Sequence, residues 1–531
     1  MKRSRARLAV GLTALALFAS ACGGDDGAGD AASSTSAATT TSAGTATSSG
    51  TATTAPAAQP TSMDAWEALW SQQRDAVVKR IKDNKWGRSA DGKTLTGPEG
   101  YTIDLSKCPA GWSDTEGLTD TEIRFGHTLP NSGPAADYGN VGKAMGAIFG
   151  YYSDKGAFKD SLGKTRKINY ITKDDGYDPA RTIPLTDELL DSEKVFTLSN
   201  LGTAPSLKNY DKLNQRCVAE PFVQSGHPAF GDPVNHPWSI GMQLAYNTEA
   251  VLWGAFIDQH FDELAAGDGK VTVASLVSNN DFGKAYDVGF KAYVNQSAHK
   301  DAIEYISETV EPTAPTVTDP MTTLAAEKPD MFIAMLFAAF CTQAVTEAAQ
   351  NGMHDSAKYL FQPSVCPGTT YVKKEAVGAD GAASSGWWQV NPGTKEINDA
   401  AQFGDPFIAW ARDMLTSKGI DPKSSSTLGS GIYYGWSWVQ GLITAGMLDG
   451  GLTRTNLALA THAMEMTHPY HLPGIAFNVN GNKDSYYAEG AVFQRWDSAK
   501  QGWEKQGNVI DLSGKSKNCP YDVSTGLCKG S

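Results

Sequence analysis

Segments with the alternation of a strand and segments with the 3.6-residue spacing of a helix follow one another along most of the chain. From residue 119 the order is strand (TEIRFGHTLP), helix (VGKAMGAIFGYYSDKG), strand (RKINYITKDD), helix (PARTIPLTDELLDSE) and strand (KVFTLSN), and a similar order restarts after residue 237. Strands separated by helices pair in parallel, with helices on both faces of the sheet. Since 531 residues exceed what one core usually holds, the sequence predicts two α/β lobes.

The first residues have the features of an export signal. A basic segment over 2–7 precedes an apolar run over 8–18, which is too short to span a bilayer. Small residues and then Cys22 follow, and this order resembles a bacterial lipoprotein box. We therefore expect a lipoprotein signal peptide over 1–21 and lipidation of Cys22, which would anchor the protein on the extracellular face of the cell membrane. Ordinary secretory cleavage near Ala21 is the alternative.

Two further segments precede the α/β region. Residues 22–62 are rich in Ser, Thr and Ala and contain almost no large apolar side chains, so they predict a disordered tether. Residues 63–117 form an N-terminal extension that begins with a predicted helix. Its apolar face is predicted to carry Trp66, Leu69, Val77 and Ile81.

Six cysteines remain if Cys22 is lipidated, an even number in an oxidising compartment. We expect three disulfides. The predicted pairs are Cys519 with Cys528 across a short loop, Cys341 with Cys366, and the remaining Cys108 with Cys217. The first of these pairs would close a C-terminal disulfide tail over 513–531.

The segment KDDGYDPART places Asp174, Asp175 and Asp178 between a strand and a helix. Such a cluster can bind a metal, supply catalytic carboxylates or build a turn. Asp178 suits the N-cap of the helix and Pro179 its first position. The acids lack the twelve-residue spacing of a calcium loop, and no catalytic partner follows. We therefore predict that this turn builds the first lobe, binds no metal and does not contact a ligand.

Three loops rich in Ser, Thr and Gly follow strands of the first predicted lobe: LPNSGPAADYG, SNLGTAPS and QSGHPAF. Ligands of open α/β sheets bind at the carboxyl ends of strands, where loops of this kind meet. Their N–H and hydroxyl groups would form a cradle for an anion or a carbonyl group. The alternative is that they are plain connections between strands and helices.

Several classes of protein are disfavoured by what the sequence lacks. A net charge of −13 argues against binding of nucleic acid. The sequence contains no GxGxxG, phosphate-binding loop, GxSxG or Cys/His cluster, so we expect no cofactor, no metal and no enzymatic activity.

The three loops, KDDGYDPART and NNDFGKAY occur in an order that resembles the branched-chain amino-acid type of ABC-transporter solute-binding protein. The resemblance runs from about residue 119 to 512. It implies the α/β type I periplasmic-binding fold, in which two doubly wound parallel-sheet lobes are joined by a hinge of three crossovers. On this basis we expect lobe 1 over 118–244 and 372–470, and lobe 2 over 245–371 and 471–512.

The resemblance also implies ligand-binding residues. In the first lobe it suggests Ser132 and Tyr138 and, as groups that hold a carboxylate, Gly202 with Thr203 and Ser225 with Gly226. In the second lobe it suggests aromatic residues that close over the ligand. These residues are Phe282 and one or both of Phe337 and Phe340.

One position departs from the family pattern. Amino-acid-binding members place a carboxylate where this chain has Ser364, Val365 and Cys366, and a buried ammonium without a carboxylate is costly. We therefore expect a monomeric extracytoplasmic protein that delivers a small molecule to an ABC permease. The expected ligand is amino-acid-like or a small aromatic or apolar acid or amide. The alternatives are a ligand-sensing receptor of the same fold and a secreted α/β hydrolase.

Overall fold

A computed structural model describes residues 59–366, 368–378, 380–522 and 524–529. Cys22, the predicted signal peptide and most of the predicted tether lie outside these residues. Within the described part of the chain, none of the helices has the length and apolar character that crossing a membrane requires. The same residues contain no group of His, Cys, Asp or Glu side chains arranged to hold a metal ion.

The first three helices lie where the sequence predicts them, with bounds shifted by a few residues. In chain order the helices are α1 (Met63–Asp83), α2 (Gly139–Asp154), α3 (Pro179–Asp191), α4 (Thr203–Gln215), α5 (Tyr246–Gln259), α6 (Phe261–Leu264), α7 (Asp281–Val294), α8 (Thr318–Ala326), α9 (Ala339–Gln350), α10 (Met353–Ser356), α11 (Lys374–Val377), α12 (Pro406–Ser417), α13 (Thr427–Met447) and α14 (Arg454–His462).

The strands alternate with these helices through most of the chain. They are β1 (Gly87–Arg88), β2 (Thr94–Thr96), β3 (Thr102–Asp104), β4 (Glu122–Leu129), β5 (Phe158–Lys159), β6 (Thr165–Asp174), β7 (Thr197–Asn200), β8 (Glu220–Val223), β9 (Ser239–Gly241), β10 (Val271–Ser278), β11 (Ile303–Val310), β12 (Met331–Met335), β13 (Tyr359–Gln362), β14 (Trp388–Asn391), β15 (Glu465–Met466), β16 (Phe477–Asn478), β17 (Gly490–Asp497), β18 (Gly502–Asp511), β19 (Tyr521–Asp522) and β20 (Leu527–Cys528).

Both main sheets have the doubly wound order. In the first lobe β4 lies between β6 and β7 and pairs with both in parallel, and a bridge between Leu201 and Gln224 links this sheet to β8 and β9. In the second lobe β10 lies between β11 and β12, and β13 and β14 continue the parallel sheet. The chain changes direction between β4 and β7 and between β10 and β12, so the carboxyl ends of these strands form a crevice in each lobe.

The chain passes between the lobes three times. It leaves the first lobe after β9, returns to it after β14, and leaves it again before β17. Because β14 pairs with β13 and β17, the return falls after Asn391 and not at residue 372 as we predicted. Phe477 and Tyr487 pack in the core of the first lobe, so the last passage also falls later than the predicted residue 471.

The N-terminal helix α1 packs into the core of the first lobe. Trp66 and Trp70 are fully buried, and the Trp70 ring meets that of Trp436 edge-on at 5.3 Å between centroids. Of the predicted apolar face, Leu69 is only half-buried, and Trp70 takes its place. Burying large aromatic side chains in this way ties the extension to the first lobe.

The three predicted disulfides are formed. Cys108 pairs with Cys217 over 109 residues, Cys341 pairs with Cys366 over 25 residues, and Cys519 pairs with Cys528 over 9 residues. The last pair, here called the tail disulfide, closes the hairpin of β19 and β20.

Two glycines bring α13 against α2. A Cβ atom on Gly431 would lie 2.4 Å from the carbonyl oxygen of Val141, and one on Gly435 would lie 2.3 Å from the Ile148 side chain. Glycine is therefore required at both positions for the helices to approach this closely. The close approach sets the position of α13 beside the crevice of the first lobe.

Candidate functional site

A cavity of about 90 Å³ lies where the crevices of the two lobes face each other. Both lobes and the passages between them contribute to its wall, which is largely aromatic. The lining residues are Tyr138, Val141, Tyr177, Leu201, Gly202, Gln224, Gln243, Tyr246, Phe282, Phe337, Ser364, Val365, Ser430 and Tyr434. Two further cavities of about 80 and 60 Å³ also have Ser364 and Ser430 in their walls.

Tyr138 joins the two lobes across this cavity. It lies in the loop between β4 and α2, and its hydroxyl donates to the carbonyl oxygen of Val365 and accepts from the N–H of Ala338, both at 3.1 Å. Val365 and Ala338 belong to the second lobe. Burial raises the pKa of Tyr138, so the hydroxyl stays protonated and keeps both hydrogen bonds at neutral pH.

The turn DDGYDP builds the first lobe through its carboxylates. Asp178 accepts from the N–H of Ala180 at the start of α3, at 2.9 Å. Asp175 is buried and accepts from the N–H of Tyr177 and the hydroxyl of Thr182, both at 2.9 Å. These hydrogen bonds fit the N-cap and turn roles that we predicted for the carboxylates.

Tyr177 of the same turn also lines the cavity, and nothing in the sequence indicated this position. Tyr177 has φ of 63°, a conformation unusual for a side chain of this size. Its ring lines the cavity and stacks on Phe337 of the second lobe at 4.9 Å between centroids and 26° between planes. The acid-rich turn therefore positions an aromatic side chain against the opposite lobe.

The predicted carboxylate cradle is occupied by the protein's own side chains. Gly202 lines the cavity, whereas Thr203, Ser225 and Gly226 lie behind its wall. The hydroxyls of Thr203 and Ser225 are 2.9 Å apart. Burial raises the pKa of Tyr246, and hydrogen bonds from Gly226, Thr203 and Ser225 partly oppose this effect. A Cβ atom on Gly226 would lie 2.6 Å from the Tyr246 ring, so this ring packs directly against the loop that we expected to hold a ligand carboxylate.

Tyr177 covers the remaining part of this cradle. A Cβ atom on Gly202 would lie 2.3 Å from the Tyr177 ring, so only glycine leaves room for it. Burial raises the pKa of Tyr177, and a hydrogen bond from the N–H of Thr203 lowers it by less. The Tyr177 ring therefore covers the N-terminal end of α4.

The other predicted residues divide between the cavity and its surroundings. Phe282 and Phe337 line the cavity, and their rings meet edge-on at 5.5 Å. Phe340 packs in the core of the second lobe and is absent from the cavity wall. Ser132 is exposed and hydrogen bonds to Asp174, which makes it part of the turn.

A buried carboxylate lies directly behind the position where we noted that an acid is missing. Glu249 of α5 is fully buried, and its carboxylate accepts from the N–H of Ser364 at 2.7 Å, from the Ser364 hydroxyl at 2.6 Å and from the Tyr286 hydroxyl at 2.7 Å. Burial raises the pKa of Glu249 to about 7, and the three donors oppose that rise. Glu249 is separated from Ser364 by 115 residues, so no local pattern in the sequence indicates this contact.

Two doubly wound lobes that enclose a cavity between them define a two-lobed ligand-binding protein. The sequence pattern of the family described as "Periplasmic binding protein" matches residues 122–482. The chain belongs to this family. Among curated proteins, none matches the chain.

Three solved structures show the similarity of fold. One is a branched chain amino acid ABC transporter from Thermus thermophilus with bound valine, with 15% identity, a TM-score of 0.60, and coverage of 75% of this chain and 98% of that one. A fatty acid ABC transporter substrate-binding protein from Thermomonospora curvata has 16% identity, a TM-score of 0.61 and coverage of 77% and 98%.

The third is a solute binding protein of an ABC transporter from Rhodopseudomonas palustris BisB5 in complex with 3,4-dihydroxy benzoic acid. It has 17% identity, a TM-score of 0.59 and coverage of 75% of this chain and 100% of that one. At this level of sequence identity, the three structures establish the fold of this chain but do not identify its ligand.

Proposed function

We propose that this protein captures a small molecule in the cavity between its lobes and delivers it to an ABC permease. The observation that carries the proposal is that one cavity is walled by side chains of both lobes, with Tyr138 hydrogen-bonded across it and Tyr177 stacked on Phe337. A ligand in this cavity would add contacts to both lobes at once and so favour the closed arrangement. Membership in the periplasmic binding protein family supports the same function.

The wall of the cavity favours a ligand with an apolar body. The rings of Tyr177, Phe282 and Phe337 face the cavity, and aromatic walls bind aliphatic or aromatic groups through their large contact area. The cradle suited to a carboxylate is already occupied by Tyr246 and Tyr177. We therefore propose that the ligand is a small apolar or aromatic compound with one polar end. This end is not an α-amino-acid carboxylate bound by the cradle as the family resemblance implies.

Attachment to the membrane is part of the proposal. Cys22, within the sequence Ala-Ser-Ala-Cys, would carry the lipid, and residues 23–62 would form the tether between the membrane and the folded body. A protein anchored in this way acts as a monomer beside its permease. Detergent-phase partitioning tests the anchor: the full chain is expected in the detergent phase and Cys22→Ser in the aqueous phase. Partitioning of Cys22→Ser with detergent would contradict lipidation.

The binding function is tested by a thermal-shift screen of the full chain against amino acids, aromatic acids, amides, fatty acids and sugars. A ligand at 100 times its dissociation constant stabilises the native state by about 2.7 kcal/mol, which raises the melting temperature measurably. The matched control is Phe337→Ala, which removes one ring from the second-lobe wall. Shifts that are equal in both proteins would place binding outside this cavity, and an absence of shifts across every class would argue against the proposed function.

A further inference from the structure

The Ser364 hydroxyl has only one hydrogen to donate, and the Glu249 carboxylate lies within hydrogen-bond distance to accept it. Its Oγ donates to Oε2 of Glu249 at 2.6 Å, while the backbone N–H of the same residue donates to Oε1 at 2.7 Å. Glu249 is fully buried, and Tyr286 is the third donor to its carboxylate. Since a hydroxyl offers one donor and two acceptor positions, the face of Ser364 toward the cavity presents lone pairs.

We propose that Glu249 is a positioning residue that fixes Ser364 as a hydrogen-bond acceptor, so that the ligand presents an N–H or O–H donor at this end of the cavity. This inference rests on the proposed binding function and narrows its ligand class. The class comprises small apolar or aromatic compounds that carry an amide, hydroxyl or ammonium group. Carboxylates and esters, which offer only acceptors, are disfavoured beside Ser364.

When Glu249 is ionised, no neighbouring side chain neutralises its negative charge. The groups that face its carboxylate are its neighbours on α5, Tyr286 of α7 and Ser364 in the loop after β13, and none of them carries a positive charge. A ligand anion beside Ser364 would lack a donor and would lie close to this carboxylate, which repels it. A cationic or neutral donor gains the hydrogen bond without that repulsion.

The other polar side chains of the wall are arranged differently. Gln243 accepts from the Tyr246 hydroxyl through Oε1 and donates to the Tyr434 hydroxyl through Nε2, so both ends of its amide are in use. Tyr434 accepts that hydrogen bond, and its own hydrogen has no acceptor among the described residues. Gln224 and Ser430 also line the cavity. Among these polar groups the wall offers an acceptor at Ser364 and a donor at Tyr434, and an amide can use both kinds of partner.

Two matched pairs of compounds test the ligand class. Benzamide and methyl benzoate share a ring and a carbonyl group, but only benzamide has N–H donors; L-valine and 3-methylbutanoate differ in the ammonium group. Calorimetry at pH 8.5, above the pKa of Glu249, keeps the carboxylate ionised. We expect at least one donor-bearing compound to bind about tenfold or more tightly than its donor-free partner, because loss of the donor leaves a buried acceptor unpaired.

Glu249→Gln separates the positioning role from a merely structural one. The amide oxygen can keep the hydrogen bond from the Ser364 N–H, while the NH₂ group would donate to Ser364 Oγ and release the Ser364 hydrogen toward the cavity. The ratio of affinities within each pair is therefore expected to fall toward one or to invert. Glu304→Gln, an exposed substitution on β11, is the control and should leave the ratios unchanged. An unchanged ratio in folded Glu249→Gln, or tighter binding of the donor-free compounds by the native protein, would overturn the inference.

Neutron diffraction of the native full chain at pH 8.5 tests the same inference without a ligand and without a variant. The Ser364 deuteron is expected on the line from Oγ to Glu249, and a deuteron directed into the cavity would overturn the inference. If none of the four compounds binds while the deuteron faces Glu249, the role of Glu249 stands, and the thermal-shift screen across all compound classes decides the proposed function.

Discussion

Removal of the Tyr138 hydroxyl tests whether hydrogen bonds across the cleft hold the lobes together. In Tyr138→Phe the ring remains, but the hydrogen bonds to Val365 and Ala338, both 3.1 Å long, are lost. A hydrogen bond of this kind contributes about 1 kcal/mol net, so the closed arrangement should lose about 2 kcal/mol. This loss corresponds to roughly a 30-fold change in the ratio of closed to open molecules.

The assay combines small-angle X-ray scattering with calorimetry. Tyr138→Phe is expected to have a larger radius of gyration without ligand. Its dissociation constant for the compound that binds best in the screen should rise by up to roughly 30-fold. Tyr305→Phe is the matched control, because Tyr305 donates to Asp287 at 2.8 Å within the second lobe alone. That variant should lose stability without any change in shape. Equal radii and equal affinities in all three proteins would refute the idea that Tyr138 controls closure.

Three other predictions concern stability, each measured by denaturant unfolding. Asp178→Ala removes the N-cap of α3 and should cost about 1 kcal/mol while leaving ligand affinity intact; a loss of affinity would mean that the N-cap also holds Tyr177 in the cavity wall. Burial raises the pKa of Glu220 from its usual 4.5 to about 8. Between these pH values the native state binds more protons than the unfolded chain, so the free energy of unfolding falls as the pH rises through this window. Glu220→Gln should flatten that fall, and an unaltered slope would assign it to other groups. Replacing Cys108 and Cys217 by Ser should cost about 5 kcal/mol, against about 3 kcal/mol for loss of the tail disulfide, because the longer loop restricts the unfolded chain more; the reverse order would contradict this account.

The sequence predicted the alternation of the longer strands and helices, since each of these leaves a local pattern. The alternation in TEIRFGHTLP and the spacing in α2 are periodic signals within a few residues, and Asp178 followed by Pro179 identifies the start of α3. The bounds of the lobes were less accurate. Whether Trp388–Asn391 joins one sheet or the other depends on pairing with β13 and β17, and no local signal records that choice.

The candidate site could be predicted only in part. Tyr138, Gly202, Phe282 and Phe337 were identified from the resemblance, and the structure places all four in the cavity wall. The resemblance also suggested Thr203, Ser225 and Gly226, which the structure places behind Tyr246. Family motifs identify the loops that surround a cavity, but they do not indicate which side chain from elsewhere in the chain fills the space between those loops.

The sequence by itself therefore determined two α/β lobes, the order of their elements, the N-cap of α3 and the loops at the carboxyl ends of the strands. These features depend on residues close together in the chain. Only the tertiary structure decided that Tyr177 reaches Phe337, that Tyr246 occupies the predicted carboxylate cradle, and that Glu249 lies behind Ser364. The reason is physical: hydrogen bonds and ring contacts act over a few ångströms in space, and folding brings together residues that lie far apart in the sequence.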